Sequence, residues 1–236
     1  MLSINPFAEL SSIIPVFAMQ LFVITMILFI VIGTGLDMLH KKNVIYFFRN
    51  AQKAKKFAKT ELSSGKKTAV ILKTVAHDIA TTSELGMGKR RIAHVLGMYG
   101  TILFWAGSAV MIFCYASANA ETPSFWPIIW HIGALMTCIG GFWFWFFLRV
   151  DVAAEANSVF RIIKADLFVL ALLSSSLFGL LWSFFQSKGL VGWDILFLVL
   201  FAISNIVLFG GVYWSKFAHM FYKPGAALQK NLADAD

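Results

Sequence analysis

Residues 15–36 read PVFAMQLFVITMILFIVIGTGL and contain no charged side chain. A helix rises about 1.5 Å per residue, so this stretch is long enough to cross the roughly 30 Å hydrocarbon core of a bilayer. A chain in lipid must satisfy its own backbone hydrogen bonds, and a helix does so within a single segment. The stretch therefore predicts a membrane-spanning helix.

Four further apolar stretches follow the same pattern. The predicted spans cover residues 13–36, 92–117, 125–148, 166–186 and 193–219. Strands of a membrane barrel are short and alternate apolar with polar residues, whereas these runs are long and continuously apolar. We therefore expect an all-α integral membrane protein, with residues 1–236 forming a single membrane domain built as a bundle of five transmembrane helices.

The composition of the whole chain agrees with this prediction. Hydrophobic residues make up 59% of the 236 residues and charged residues 14%, against about 45–50% and about 25% in soluble globular proteins. The composition excludes a soluble enzyme, a disordered chain and a small disulfide-linked domain. Cys114 and Cys138 are the only cysteines, so the chain cannot supply four thiolates to an iron–sulfur cluster.

The net charge of +8 is distributed unevenly along the chain. Residues 37–91 hold 13 of the 20 Lys and Arg residues, residues 149–165 hold three, residues 216–236 hold three, and Lys188 alone lies on the other side. Loops rich in Lys and Arg stay in the cytoplasm. We expect the N-terminus outside, the C-terminus in the cytoplasm, and a multi-pass protein of the inner (cytoplasmic) membrane. Because the charge follows membrane topology, no nucleic-acid partner is expected.

The basic segment, residues 37–91, has 13 basic and four acidic residues and so a net charge of +9. Two interpretations remain open: it marks topology and attracts anionic lipid headgroups, or it docks an acidic cytoplasmic partner. We expect residues 41–62 to form an interfacial helix that is broken at residues 63–65, and residues 70–80 to form a second short helix.

Two histidines lie at the cytoplasmic edge of predicted spans. His94 opens the second span and His219 closes the fifth, and each follows a basic residue, Arg91 or Lys216, by three positions. That spacing places each pair on one helix face. Two facing imidazoles can ligate iron, and the cations can offset haem propionates, so one hypothesis is a b-type haem. The alternative is a pair of interfacial histidines without a ligand.

The remaining histidines and the glycines are expected mainly to have structural roles. His131, within the tryptophan-rich residues 126–131, is first an interfacial belt residue, with a quinone contact or an outer haem ligand as alternatives. His40 and His77 belong to the basic segment. His77 precedes Asp78, and the pair is expected on a solvated surface, with proton transfer as the alternative. Glycines such as Gly97 and Gly100 are expected mainly to let helices pack closely, with clearance for a flat cofactor as the alternative.

The pattern resembles a known family. Five spans, a basic first inner loop and the stretches KRRIAH (residues 89–94) and WSKFAHMFY (residues 214–222) are similar to the gamma-subunit family of respiratory nitrate reductase. That family includes the membrane subunits of quinone-interacting oxidoreductase complexes. The resemblance covers most of the chain by topology and rests on these short motifs.

The resemblance implies cofactors and partners. Members bind two b haems and exchange electrons with quinone. The inner pair of ligands would be His94 and His219, whereas Phe104 and Phe201 stand at the positions of the outer pair, so at most one haem b is expected. The chain is most similar to the short, five-span anchors of adenylylsulfate (APS) reductase, which implies a soluble cytoplasmic oxidoreductase as partner and a role in sulfur metabolism.

Three functional hypotheses follow. The first is a membrane anchor and electron-transfer subunit that links a cytoplasmic redox enzyme to the quinone pool. It would be a non-catalytic or quinone-reactive subunit of an oxidoreductase complex. The second is a structural anchor without redox activity. The third is a small transporter, which the absence of carboxylates suited to a proton relay within the predicted spans disfavours.

Overall fold

The computed structural model describes residues 2–40, 45, 49, 52, 63–85, 88–214 and 219–234, and helices dominate these ranges, with no strand among them. The helix over Ser64–Lys73 continues as a π-helical turn over Thr74–Ile79, and the helix over Phe125–Trp143 continues as one over Phe144–Leu148. Short 3-10 turns cover Ser83–Leu85 and Lys164–Asp166. The helices are α1 (Pro6–Leu10), α2 (Val16–His40), α3 (Ser64–Lys73), α4 (Lys89–Cys114), α5 (Phe125–Trp143), α6 (Val150–Ala153), α7 (Leu167–Ser187), α8 (Val191–Gly210) and α9 (His219–Asp234).

Five of these helices are long and apolar enough to cross a membrane: α2, α4, α5 with its π-helical extension, α7 and α8. In the most apolar window of α2 and of α8, only 17% of the residues are buried inside the protein. The outward faces are therefore apolar, as Phe17 and Val31 illustrate with exposed fractions of 73% and 63%. Surfaces of this extent belong in contact with lipid, and the all-α, five-helix prediction is confirmed.

The spanning helices pack as a closed ring. In the ring α4 lies on α5, α5 on α7, α7 on α8, α8 on α2, and α2 returns to α4. Glycines allow the closest of these contacts. A Cβ atom built on Gly100 would lie 2.6 Å from the backbone nitrogen of Thr137, and one on Gly140 would lie 2.5 Å from the carbonyl oxygen of Ala93. The predicted packing role is confirmed at both positions.

The helices run so that the basic loops meet at one end, called here the basic end. The other end, which holds α1, is called the opposite end. Gly33 near the end of α2 lies against Val212 just after α8, and Phe7 of α1 lies against Trp130 near the start of α5. The residues that border the basic end are His40, Lys89, Leu148, Leu167 and Gly210.

The ends of two spans differ from the prediction. The first span continues to His40, so Asp37, expected in the solvated basic segment, is completely buried within α2. The fifth span ends at Gly210 rather than at residue 219. Gly210 and Gly211 stand in succession, and glycine is among the poorest helix formers, which explains why α8 ends there.

The basic segment contributes a helix that packs on the C-terminal helix. Ser63 caps α3, its hydroxyl accepting a hydrogen bond from the backbone N–H of Lys66. This helix begins at Ser64 rather than at residue 70 as predicted, because the serine that was expected to break a helix begins one instead. Asn231 of α9 donates to the buried hydroxyl of Thr74, at 2.9 Å. The helix predicted over residues 41–62 lies outside the described residues, except for positions 45, 49 and 52.

Candidate functional site

Phe104 and Phe201, which the resemblance aligns with an outer pair of haem ligands, lie in a cluster of packed aromatic rings. Phe104 and Phe201 are both buried, and their ring centroids lie 6.1 Å apart in an edge-to-face contact. Trp130 packs on Phe104 at 5.1 Å, and Trp182 stacks on Phe201 at 5.7 Å. We call these four residues the aromatic cluster. Their rings occupy the space between α4, α5, α7 and α8.

His131 is a buried structural residue and not part of an interfacial belt. Its Nδ1 lies 2.7 Å from the carbonyl oxygen of Pro127, and its Nε2 lies 2.9 Å from the hydroxyl oxygen of Ser183. Because a carbonyl only accepts, Nδ1 carries the proton, and in the neutral ring Nε2 accepts from the serine hydroxyl. Both nitrogens are engaged within the protein. The alternatives of an outer haem ligand or quinone contact have no free nitrogen to use.

The aromatic residues 142–147 include both exposed and buried rings. Phe147 is 69% exposed, as an interface residue should be, whereas Trp145 is buried. The guanidinium of Arg149 lies 4.0 Å from the centre of the Trp145 ring and 2.8 Å from the carboxylate of Asp166. Arg149 also donates to the carbonyl of Val159. This buried arginine thereby fixes the connection between α5 and α7 at the basic end.

The start of α4 holds the end of the basic segment. Arg91 donates from Nε to the carbonyl of Thr81 at 2.7 Å, and the Tyr99 hydroxyl donates to the carbonyl of Ala80 at 2.8 Å. Residues 80 and 81 follow the π-helical turn of α3. Arg91, expected to face haem propionates or a partner, thus has a positioning contact that the sequence pattern did not indicate.

His94 lies on an open part of the α4 surface. It is exposed, and it follows Arg91 by one helical turn. One turn further, a Cβ atom built on Gly97 would meet no atom of the described residues within 4 Å. A side chain at Gly97 would therefore not clash as one at Gly100 would, although the Gly97 backbone lies close to Gly140 of α5. The start of α4 thus presents one exposed histidine with space for a small group one turn away.

The second predicted ligand does not lie at the end of a span. His219 begins α9, nine residues after α8 ends at Gly210. The side chain of His219 and all of Lys216 lie outside the described residues. The prediction that His219 closes the fifth span is therefore wrong, because the glycine pair ends α8 early, while its role as a ligand stays a prediction.

No group of three His, Cys, Asp or Glu residues that could hold a metal ion occurs in the described ranges. No family model, curated protein or solved structure matches this chain. The function must therefore be inferred from the sequence pattern and from the residues at the basic end.

One polar pair at the basic end was missed by the sequence reasoning. His40 was expected on the solvated surface of the basic segment, but α2 extends to it, and its ring lies 6.0 Å from that of Tyr213. The predicted topology could have indicated that these two residues lie close together. The first and fifth spans run in the same direction, so residues that follow their apolar runs lie at similar depth.

Proposed function

We propose that this protein is a membrane anchor and electron-transfer subunit that links a cytoplasmic oxidoreductase to the quinone pool. The 19-to-1 distribution of Lys and Arg supports an orientation with the basic end in the cytoplasm and the N-terminus outside. The observation that carries the proposal is the exposed His94 beside the open surface at Gly97. It is a polar, ligand-competent side chain at the end of the bundle where a cytoplasmic enzyme would dock.

In this proposal His94 and His219 hold one haem b. A haem bound there would supply one-electron transfer. Lys216 would place a positive charge near the propionates. Arg91 would position His94, because its bond to Thr81 fixes the first turn of α4 against the basic segment. The aromatic cluster supports a single haem, since Phe104 and Phe201 stand at the positions that the resemblance aligns with the outer haem ligands.

The basic segment would form much of the docking surface. Its net charge of +9 favours encounter with an acidic surface on the partner. The helix α3 is held by α4 through Tyr99 and by α9 through Thr74, which gives that surface a defined shape. APS reductase is the partner that the family resemblance indicates, with sulfite and AMP on one side of its reaction and APS on the other.

The experiment compares His94→Ala and His219→Ala with the matched control His77→Ala, another exposed histidine. The protein is co-expressed with APS reductase, and both co-purification and sulfite-dependent quinone reduction are measured. We expect at least a tenfold loss of quinone reduction in the first two variants, unchanged co-purification in all three, and full activity in the control. Unchanged reduction in His94→Ala would contradict the proposal.

The second candidate is a structural anchor without redox activity. The packed aromatic cluster supports it, because buried rings and not histidines stand at the positions that the resemblance assigns to an outer haem. A structural anchor would retain the partner in all variants and show no haem-dependent electron flow in any of them. A transporter agrees less well with the fold, since Trp130 and Trp182, both fully buried, fill the space between the helices at the opposite end.

A further inference from the structure

A cleft of about 350 Å³ opens at the basic end, between the last turn of α2 and the turn that follows α8. Leu36, Leu39 and His40 line it from one side and Tyr213 from the other. The volume falls at the lower end of the range of small-molecule sites. Two separate elements, at the two ends of the sequence, thus build one concave surface.

Gly33 allows the two sides of the cleft to lie in close contact. A Cβ atom built on Gly33 would lie 2.9 Å from the Cβ of Val212, which is fully buried. Only a glycine lets the chain after α8 approach α2 this closely. Tyr213, the next residue, is thereby placed edge-on against the ring of His40, at 6.0 Å between centroids.

The polar groups of the cleft have no hydrogen-bond partner in the described part of the protein. Neither the Tyr213 hydroxyl nor the His40 ring nitrogens bond to another described residue, and their contact with each other is between rings. His131 differs, since both of its nitrogens are bonded internally. Leu36 and Leu39, beside the polar pair, are 51% and 78% exposed on the surface of a spanning helix.

We propose that this cleft binds the headgroup of a lipid-soluble quinone, an inference that rests on the proposed function and names its substrate site. The ligand must enter from the bilayer, because exposed leucines of α2 form the approach. It must also carry hydrogen-bond acceptors for a hydroxyl and an imidazole. A quinone has two carbonyl oxygens on a flat apolar ring and a tail suited to the leucines.

The test is isothermal titration of the purified protein in nanodiscs with decyl-ubiquinone. We expect saturable binding near one per chain. Tyr213→Phe should weaken binding about three- to tenfold, the effect of one lost hydrogen bond, and His40→Ala by a similar factor. Leu39→Trp should fill the cleft and abolish binding. Tyr115→Phe, a matched tyrosine after α4 at the opposite end, should leave the affinity unchanged.

Binding that is absent, or equally strong in Tyr213→Phe and Leu39→Trp, would overturn the inference, since the quinone would then only partition around the bundle. Tyr213→Phe removes a single oxygen atom and decides the matter even if Leu39→Trp does not fold. The titration requires neither haem nor partner. If quinone binds to a protein that lacks haem, the cleft assignment is correct and the electron-transfer proposal fails. If the protein holds haem but does not bind quinone, the cleft assignment fails and the electron-transfer proposal stands.

Discussion

The two ends of the bundle differ in how accessible their histidine side chains are. At the opposite end, Trp130 and Trp182 are buried in the aromatic cluster, and His131 has both nitrogens bonded to other residues of the protein. At the basic end, His94 is exposed, and His40 and Tyr213 line an open cleft.

This difference suits one end of the bundle to helix packing and the other end to ligand binding. Hydrophobic association gives little preference for one helix neighbour over another in lipid, so close fit and hydrogen bonds must set the arrangement of the helices. The opposite end supplies both. At the basic end, the exposed His94 and the cleft lined by His40 and Tyr213 can be reached by a cofactor or substrate from outside the bundle.

The largest effect on stability is expected from a substitution in the aromatic cluster. Trp182→Ala removes a ring that is 1% exposed and stacks on Phe201, and it should lower the free energy of unfolding by about 3–4 kcal/mol. Trp193→Ala is the control, because that ring is 55% exposed and should cost less than about 1 kcal/mol. Denaturant titration in detergent measures both, and equal losses would contradict the distinction between the two sites.

An intermediate effect is expected where α4 meets α5. Gly100→Ala places a methyl group 2.6 Å from a backbone nitrogen of α5, so the helices must separate, at a cost of about 1–3 kcal/mol. Gly97→Ala adds the same methyl group to open space on the same helix and should be neutral or slightly stabilising. Melting temperatures of the two variants provide the measurement. A destabilised Gly97→Ala would mean that the surface beside His94 is not open.

The smallest effect on stability is expected from Gly33→Ala, and it concerns the cleft. The new methyl group would push Val212 away from α2 and so move Tyr213 relative to His40. We expect quinone affinity to fall about three- to tenfold. The loss of stability should be smaller than for Gly100→Ala, because the new methyl group meets a side chain and not a backbone atom. Gly35→Ala, which meets no atom within 4 Å, is the control. An equal affinity in both variants would show that Gly33 does not position the cleft.

Hydropathy alone was sufficient to find all five spanning helices, because each is a long apolar run. It was not sufficient for the end of the fifth, since Gly210 and Gly211 are apolar by composition yet end the helix. His131 was misplaced for a related reason. The helix α5 is apolar on every side, so the sequence does not mark which face is interior.

The candidate site was less accessible to sequence reasoning. The sequence identified His94 from its place at a span boundary. The contact between His40 and Tyr213 joins positions far apart in the chain and depends on the close approach at Gly33. The bond from Arg91 to Thr81 depends on the turn that brings the basic segment back to α4. Neither contact has a sequence pattern of its own.

The most direct test of the central claim, that the basic end and not the opposite end carries the redox group, is a dithionite-reduced minus air-oxidised visible spectrum of the purified protein with its haem-to-protein ratio. We expect a sharp b-type α band near one haem per chain, which is lost in His94→Ala and retained in His77→Ala. A protein without the band, after expression with ample haem, or one whose band survives in His94→Ala, would contradict it.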